Sequence, residues 1–208
     1  MAIRTAVNRA LTAITALPTA AALVDGNLTL LTTITLSGQA NATFSSSINS
    51  TYNSYEFHFS DIHPASESSD AHLCVNFRDG GSNYDATKTT TYFDATHSEA
   101  GSSSSLAYST SHDLAQGTGV SKISSDIGAD NDQAGSGTLQ LFNPSSTTFV
   151  KHFISRVQIA NAGDNSQDTF VAGYANVTAA IDGVQFTLSN SANIDSGTIK
   201  MYGVGPKQ

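Results

Sequence analysis

The side chains best placed to do chemistry in this chain are carboxylates and amides gathered in turns. Asp126, Asp130, Asn131 and Asp132 crowd one glycine-rich run, DIGADNDQAGSG. Hard cations such as calcium take oxygen ligands from loops of this kind. The spacing lacks the order of an EF-hand, and no glutamate follows to close a site with two oxygens. Asp and Asn in turns also bond their own backbone. No cofactor is expected, and Asp126, Asp130 and Asp132 are the residues calcium would use if a metal were bound. Asp79, Asn83 and Asp85 form a second, weaker cluster.

Other chemistry finds less material. His58, His63, His72, His97, His112 and His152 include no pair at His-x-His or His-x₃-His spacing. His58, His72 and His152 could meet at zinc only if their strands are neighbours. Glu56, Glu67 and Glu99 are the only glutamates. Of the pair that glycoside cleavage needs, only Glu56 falls clearly on a strand. Cys74 stands alone, with no histidine paired to it by a local motif, and reads as structural. The sequence contains no nucleophile elbow, phosphate-binding loop or dinucleotide fingerprint. A carbohydrate face would have to use Tyr52, Tyr55, Tyr84, Tyr92, Tyr108, Tyr174 and Tyr202, since tryptophan is absent.

Composition limits the partners. Charged residues make up 12% of the 208, against about 25% in ordinary globular chains. Ser, Thr, Asn and Gly take their place, which suits antiparallel β-structure with many turns. The net charge of −8 and the nine scattered Lys and Arg argue against nucleic acid and anionic membrane surfaces as partners. No apolar run reaches the roughly 18–20 residues that span a bilayer. Arg4 and Arg9 ahead of LTAITALPTAAAL imitate a secretion leader, but Thr12, Thr15, Pro18 and Thr19 break its apolar stretch.

The elements that must position these residues change period along the chain. Ile3, Val7, Ala10, Ile14 and Leu17 recur at alternating spacings of four and three, an apolar seam that Pro18 ends. A helix this short is marginal alone and needs a partner, so residues 1–27 are expected to form a helical or extended anchoring and oligomerisation arm. From Leu28 onward the period is two. Leu28, Leu30, Ile34 and Leu36 share one face with Leu31 as the exception, and Ser45–Ser50 reads as a flexible link. Leu73, Val75 and Phe77 alternate with His72, Cys74 and Asn76, the clearest strand in the chain. Leu139–Ile159, LQLFNPSSTTFVKHFISRVQI, reads as a long hairpin turning at Asn143-Pro144. Both faces of its second strand are largely apolar, which predicts a strand inside a two-layer stack. Roughly nine to eleven strands follow from such patterns. The expected fold is all-β, an antiparallel, jelly-roll-like β-sandwich over residues 28–208.

Four of these stretches carry a resemblance: INSTYNSYEFHFSDIHP (Ile48–Pro64), DGGSNY (Asp79–Tyr84), LFNPSSTTFVKHF (Leu141–Phe153) and GTIKMYG (Gly197–Gly203). They resemble a family of uncharacterised β-rich structural proteins of tailed bacteriophages, especially marine ones, often labelled tail-fibre-like or virion proteins. The likeness covers about residues 28–205 and rests on turn and strand signatures, so it carries over no active site. It implies a non-enzymatic virion component on the particle exterior. Such a component would be a capsid decoration (cement) protein or a fibre, docked on major capsid or tail proteins and homo-oligomeric, with a trimer as the natural guess. The alternatives are a receptor module for host-surface glycans and, ranked last, a polysaccharide depolymerase.

Overall fold

The computed structural model describes residues 28–66 and 70–205. The apolar seam Ile3, Val7, Ala10, Ile14 and Leu17 lies outside the described residues, as does Glu67. What is described is all-β, with no helix among the described residues. Twelve strands form two sheets. They are β1 (Leu28–Leu36), β2 (Asn41–Phe44), β3 (Ser54–Pro64), β4 (His72–Arg78), β5 (Lys88–Ser98), β6 (Ser104–Tyr108), β7 (Ser121–Asp126), β8 (Gly135–Phe142), β9 (Lys151–Asn161), β10 (Asn165–Ala175), β11 (Gly183–Leu188) and β12 (Ile194–Val204).

The larger sheet has eight strands in the order β1-β12-β3-β8-β9-β10-β5-β6, and the smaller has four in the order β2-β11-β4-β7. Every pairing is antiparallel. Alternating apolar residues of both sheets meet in one core. Phe44, Phe57, Phe59 and Phe186 meet edge to face with ring centroids 5.0–6.1 Å apart, the geometry that aromatic quadrupoles favour. Phe77 of the small sheet meets Phe153 of the large one in the same way at 5.1 Å.

Several expectations are corrected by the packing. A β-bulge between Leu30 and Thr32 reverses which side chains face inward. Leu31, Ile34 and Leu36 therefore pack on the core, while Leu28 and Leu30 face solvent. The bulge explains why Leu31 broke the alternation. The segment at 45–50 is tied down: Ile48 is buried, and the Tyr55 hydroxyl bonds both N–H and C=O of Asn49 at 3.0 Å.

The hairpin forms as expected, with Leu141 opposite Phe153 and Gly135 opposite Ile159. Asn143 supplies a left-handed φ of 43° at its turn. Its second strand, β9, does lie within the sheet, between β8 and β10. Only one of its faces is covered, however. Lys151, Phe153, Val157 and Ile159 are buried, whereas Ile154 is 56% exposed and Phe149, ahead of the strand, is 69% exposed.

Strand β4 shows the opposite departure. All its residues from His72 to Phe77 are buried. Leu73, Val75 and Phe77 belong to the core. The polar face is roofed by residues 112–118: the His72 and His112 rings lie 4.7 Å apart, and Asn76 Nδ2 donates to the Thr118 carbonyl at 3.1 Å.

Candidate functional site

The outward face of the large sheet is built from one simple register. Thr33, Lys200, His58, Thr138, Arg156, Phe170, Phe93 and Tyr108 pair successively across all eight strands, one residue from each. Because alternate residues of a strand share a face, this row and its neighbours two residues away define the solvent-facing surface. The row is polar on β1, β12, β3 and β8 and becomes aromatic on β10, β5 and β6.

Its aromatic half is held firmly. Arg156 grips both carboxylate oxygens of Asp168, with Nη2 at 2.6 Å and Nε at 3.0 Å. That hydrogen bonding raises the guanidinium pKa above its ordinary value. The same guanidinium lies 4.9 Å over the Phe170 ring, a cation–π arrangement. Phe170 stacks on Phe93, and Tyr108 stands opposite Phe93 in register. The Tyr108 hydroxyl donates to Asp113 Oδ2 at 2.6 Å, and this bond, with some desolvation, raises the tyrosine pKa.

Leu106, one level along, is 72% exposed. Ile154 on β9 is 56% exposed, so exposed apolar side chains stand on β9, β5 and β6 around the Phe93–Phe170 stack. Beside them lies an open hollow of about 450 Å³ lined by Thr89, Thr91, His152, Ile154, Ala172 and Tyr174.

Of the residues singled out from the sequence, His58, Tyr108, His152 and Tyr174 lie on this face, whereas the acidic turn residues lie elsewhere. Asp126 Oδ1 accepts the Ala71 N–H at 2.6 Å, so one of its oxygens is already committed. Asp130 and Asp132 lie in the following loop, where the Asp130 carbonyl accepts the Gln133 N–H at 2.9 Å. Among the described residues no group of three or more His, Cys, Asp or Glu side chains is gathered in a way that could hold a metal ion.

His58 and His152 lie on strands separated by β8, and His72 is in the other sheet, so the three do not converge. Glu56 bonds His58 at 2.9 Å. Glu99 follows β5, four strand positions away, about 19 Å across the sheet at the usual strand spacing. A glycosidase pair stands roughly 5–9.5 Å apart. Of the tyrosines, Tyr52, Tyr55 and Tyr92 are buried and Tyr108 is the most exposed.

Two arrangements carry no clear mark in the sequence. His112 sits between His72 and Tyr92, with ring centroids at 4.7 and 4.9 Å. His72 Nδ1 bonds the Ser124 carbonyl at 2.9 Å, and Asp70 lies 3.1 Å from its other nitrogen. Burial pushes both histidine pKa values down. The second arrangement is a pair of wholly buried lysines, Lys88 and Lys151, which flank Ala175 in one inward-facing row. Lys151 Nζ donates to the Val177 carbonyl at 3.0 Å. Lys88 Nζ donates to Asn76 Oδ1 at 2.5 Å and to the Ala86 carbonyl at 2.7 Å. Lysine reads as surface in a sequence, and only the alternation Lys88-Thr89-Thr90-Thr91-Tyr92, with Tyr92 inward, carries a signal. Comparison with protein-family models, with curated proteins and with solved structures returned no match.

Proposed function

We propose that the chain is a non-enzymatic structural protein of a tailed-phage particle, a jelly-roll sandwich that docks on neighbouring copies or virion proteins through the outer face of its large sheet. The observation that carries this reading is the exposed row Arg156–Phe170–Phe93–Tyr108 with Leu106 and Ile154 beside it. Such a surface is costly to leave in water and is stabilised when covered.

The strand order supports the jelly roll. Setting β5, β6, β9 and β10 aside leaves β1-β12-β3-β8 against β2-β11-β4-β7. That is the order produced when eight strands wind as two interlocked Greek keys. The four remaining strands are two insertions that widen the first sheet beyond β8. They carry Phe93, Leu106, Tyr108, Ile154 and Phe170, so these side chains belong to the added wing. The charge-poor composition and the four stretches that resemble phage structural proteins favour the virion context over other settings for such a fold.

Locating the chain in purified particles, with its copy number relative to the major capsid protein, tests the reading. A repeated position on capsid or tail with the wing against a neighbour is the expected result. Absence from purified particles overturns it. A second reading, a receptor module for host glycans, draws on the hollow beside Tyr174 and His152. Glycan-array binding that is lost on Tyr174→Ala would promote it.

A further inference from the structure

We propose that Lys88 and Asn76 join in an intramolecular isopeptide bond, with Nζ of Lys88 replacing Nδ2 of the Asn76 carboxamide. The geometry is that of a reactant pair. Nζ lies 2.5 Å from Asn76 Oδ1, and a carbonyl bond is about 1.23 Å, so Nζ is at most about 3.7 Å from Cγ. Near-attack distances are about 3–3.5 Å, so the two atoms stand within that range or a few tenths of an ångström beyond it, and attack requires the amine to turn its lone pair from Oδ1 toward Cγ.

Both residues are held in place. Lys88 exchanges backbone hydrogen bonds with Gly117 at 2.8 and 2.9 Å and pairs with Ala175 on its other side. The orientation of the carboxamide is fixed by its partners. Phe77 N–H donates to Oδ1 at 3.0 Å, and Nδ2 donates to the Thr118 carbonyl at 3.1 Å. Exchanging the oxygen and nitrogen would place donor against donor at Phe77 and acceptor against acceptor at Thr118.

The surroundings favour the reaction. Lys88 is 0% and Asn76 6% exposed, which keeps water from competing for Cγ. The hydrogen bonds of Nζ go to neutral oxygens, and burial, partly offset by Asp85 and Asp79, pulls the lysine pKa down to about 8. A neutral amine with a free lone pair is therefore about one tenth of the population at pH 7 and about half at pH 8. Phe77 N–H already sits where charge develops on Oδ1.

The step balances without any co-reactant. The Nζ lone pair forms the bond to Cγ, and Oδ1 takes the developing charge. The Cγ–Nδ2 bond then breaks with its electrons going to nitrogen. One proton passes from Nζ to Nδ2, and ammonia leaves on the side of the exposed Thr118. The product amide keeps its oxygen on Phe77 N–H and its remaining N–H on the Ala86 carbonyl. A buried amine that is costly to charge becomes a satisfied neutral group.

Lys151 is the built-in contrast. It is equally buried and lies in the same row, but its Nζ faces a backbone carbonyl and no carboxamide, so it stays a free amine. The bond ties β4, in the small sheet, to β5, the strand that begins the added wing.

The test is the mass of the denatured full-length protein and its peptide map. The expected mass is lower than that of the sequence by one molecule of ammonia. Trypsin then fails to cut after Lys88, and a branched peptide contains Asn76 and Lys88, while Lys151 remains free. Lys88→Arg and Asn76→Ser restore the full mass. Full sequence mass in the wild type after long incubation above pH 8 overturns the proposal. So does an ammonia deficit without the branched peptide, which would mark a succinimide elsewhere. Both readouts are taken on the wild type, so the test still decides when a variant fails to fold.

Discussion

The rings of Phe93 and Phe170 lie parallel, 5.0 Å apart with 6° between their planes, on the solvent side of the large sheet. Stacked aromatic pairs contribute about 0.5–1.5 kcal/mol beyond their burial, too little to explain an exposed row of this extent by stability alone. Phe93→Ser combined with Leu106→Ser is expected to lower stability in urea unfolding by no more than about 1–2 kcal/mol. The same pair should shift full-length protein from oligomer toward monomer in sedimentation. Unchanged association in the double variant would remove this face from the assembly.

Acid should weaken the packing of the 112–118 segment over β4. His72 and His112 both have folded pKa values below the ordinary 6.5, mainly because burial disfavours the charged ring. Asp70, Asp94, Asp126 and Lys122 are the charged groups around them. The neutral rings are favoured in the folded state, so their contribution is complete above about pH 6.5 and is lost as pH falls through the lower folded values. The histidine contribution to unfolding free energy should be level above about pH 7 and decline from about pH 6.5 downward. His72→Asn with His112→Asn should flatten that decline. An unaltered slope would show that other groups set it.

Glycines should divide by what their Cβ would meet. A Cβ on Gly173 would sit 2.7 Å from the Thr89 carbonyl oxygen, 2.8 Å from Thr90 Cγ2 and 3.0 Å from Phe153 Cζ. A Cβ on Gly203 would run into the Tyr52 ring. Gly173→Ala and Gly203→Ala should each destabilise by about 1–3 kcal/mol, the usual cost of overpacking. Gly119→Ala, where a Cβ meets nothing within 4 Å, serves as the neutral control. Equal midpoints for all three would contradict the packing described.

Cys74 should be chemically silent in the native protein. It is 0% exposed, and burial pushes its thiol up to about 12. The thiolate that reacts is therefore scarce as well as covered. A maleimide or disulfide reagent should label it only at the rate of unfolding, and rapid labelling of folded protein would show that the roof over β4 opens.

The alternation of apolar residues makes most of the large sheet legible in the sequence, down to the Leu141–Phe153 hairpin. Strand β7 is not legible there. Ser121, Ser124 and Ser125 are buried, and two of them use their polarity inside the fold. Ser124 Oγ accepts the Leu73 N–H, and Ser125 bonds Thr169, Tyr92 and Asp94. Period-two reading looks for apolar residues and passes over a strand whose buried side chains, Ile123 apart, are hydroxyls. The same blindness hides Lys88 and Asn76, because a buried polar pair is defined by partners distant in sequence or on another strand. The outward apolar residues mislead in the other direction. Ile154 reads as core because a strand pattern records apolarity, while coverage depends on what packs above it.

The pairing of β1 with β12 sets Leu28 directly opposite Val204. Both ends of the described domain therefore emerge at one corner of the sheet. The wing lies at the other extreme, seven strand positions away, or about 34 Å at the usual spacing. A load applied through either end enters at the β1 edge and must cross the hydrogen-bond ladders sideways before it reaches β6. The two ends and the exposed aromatic strands therefore occupy opposite margins of one continuous sheet.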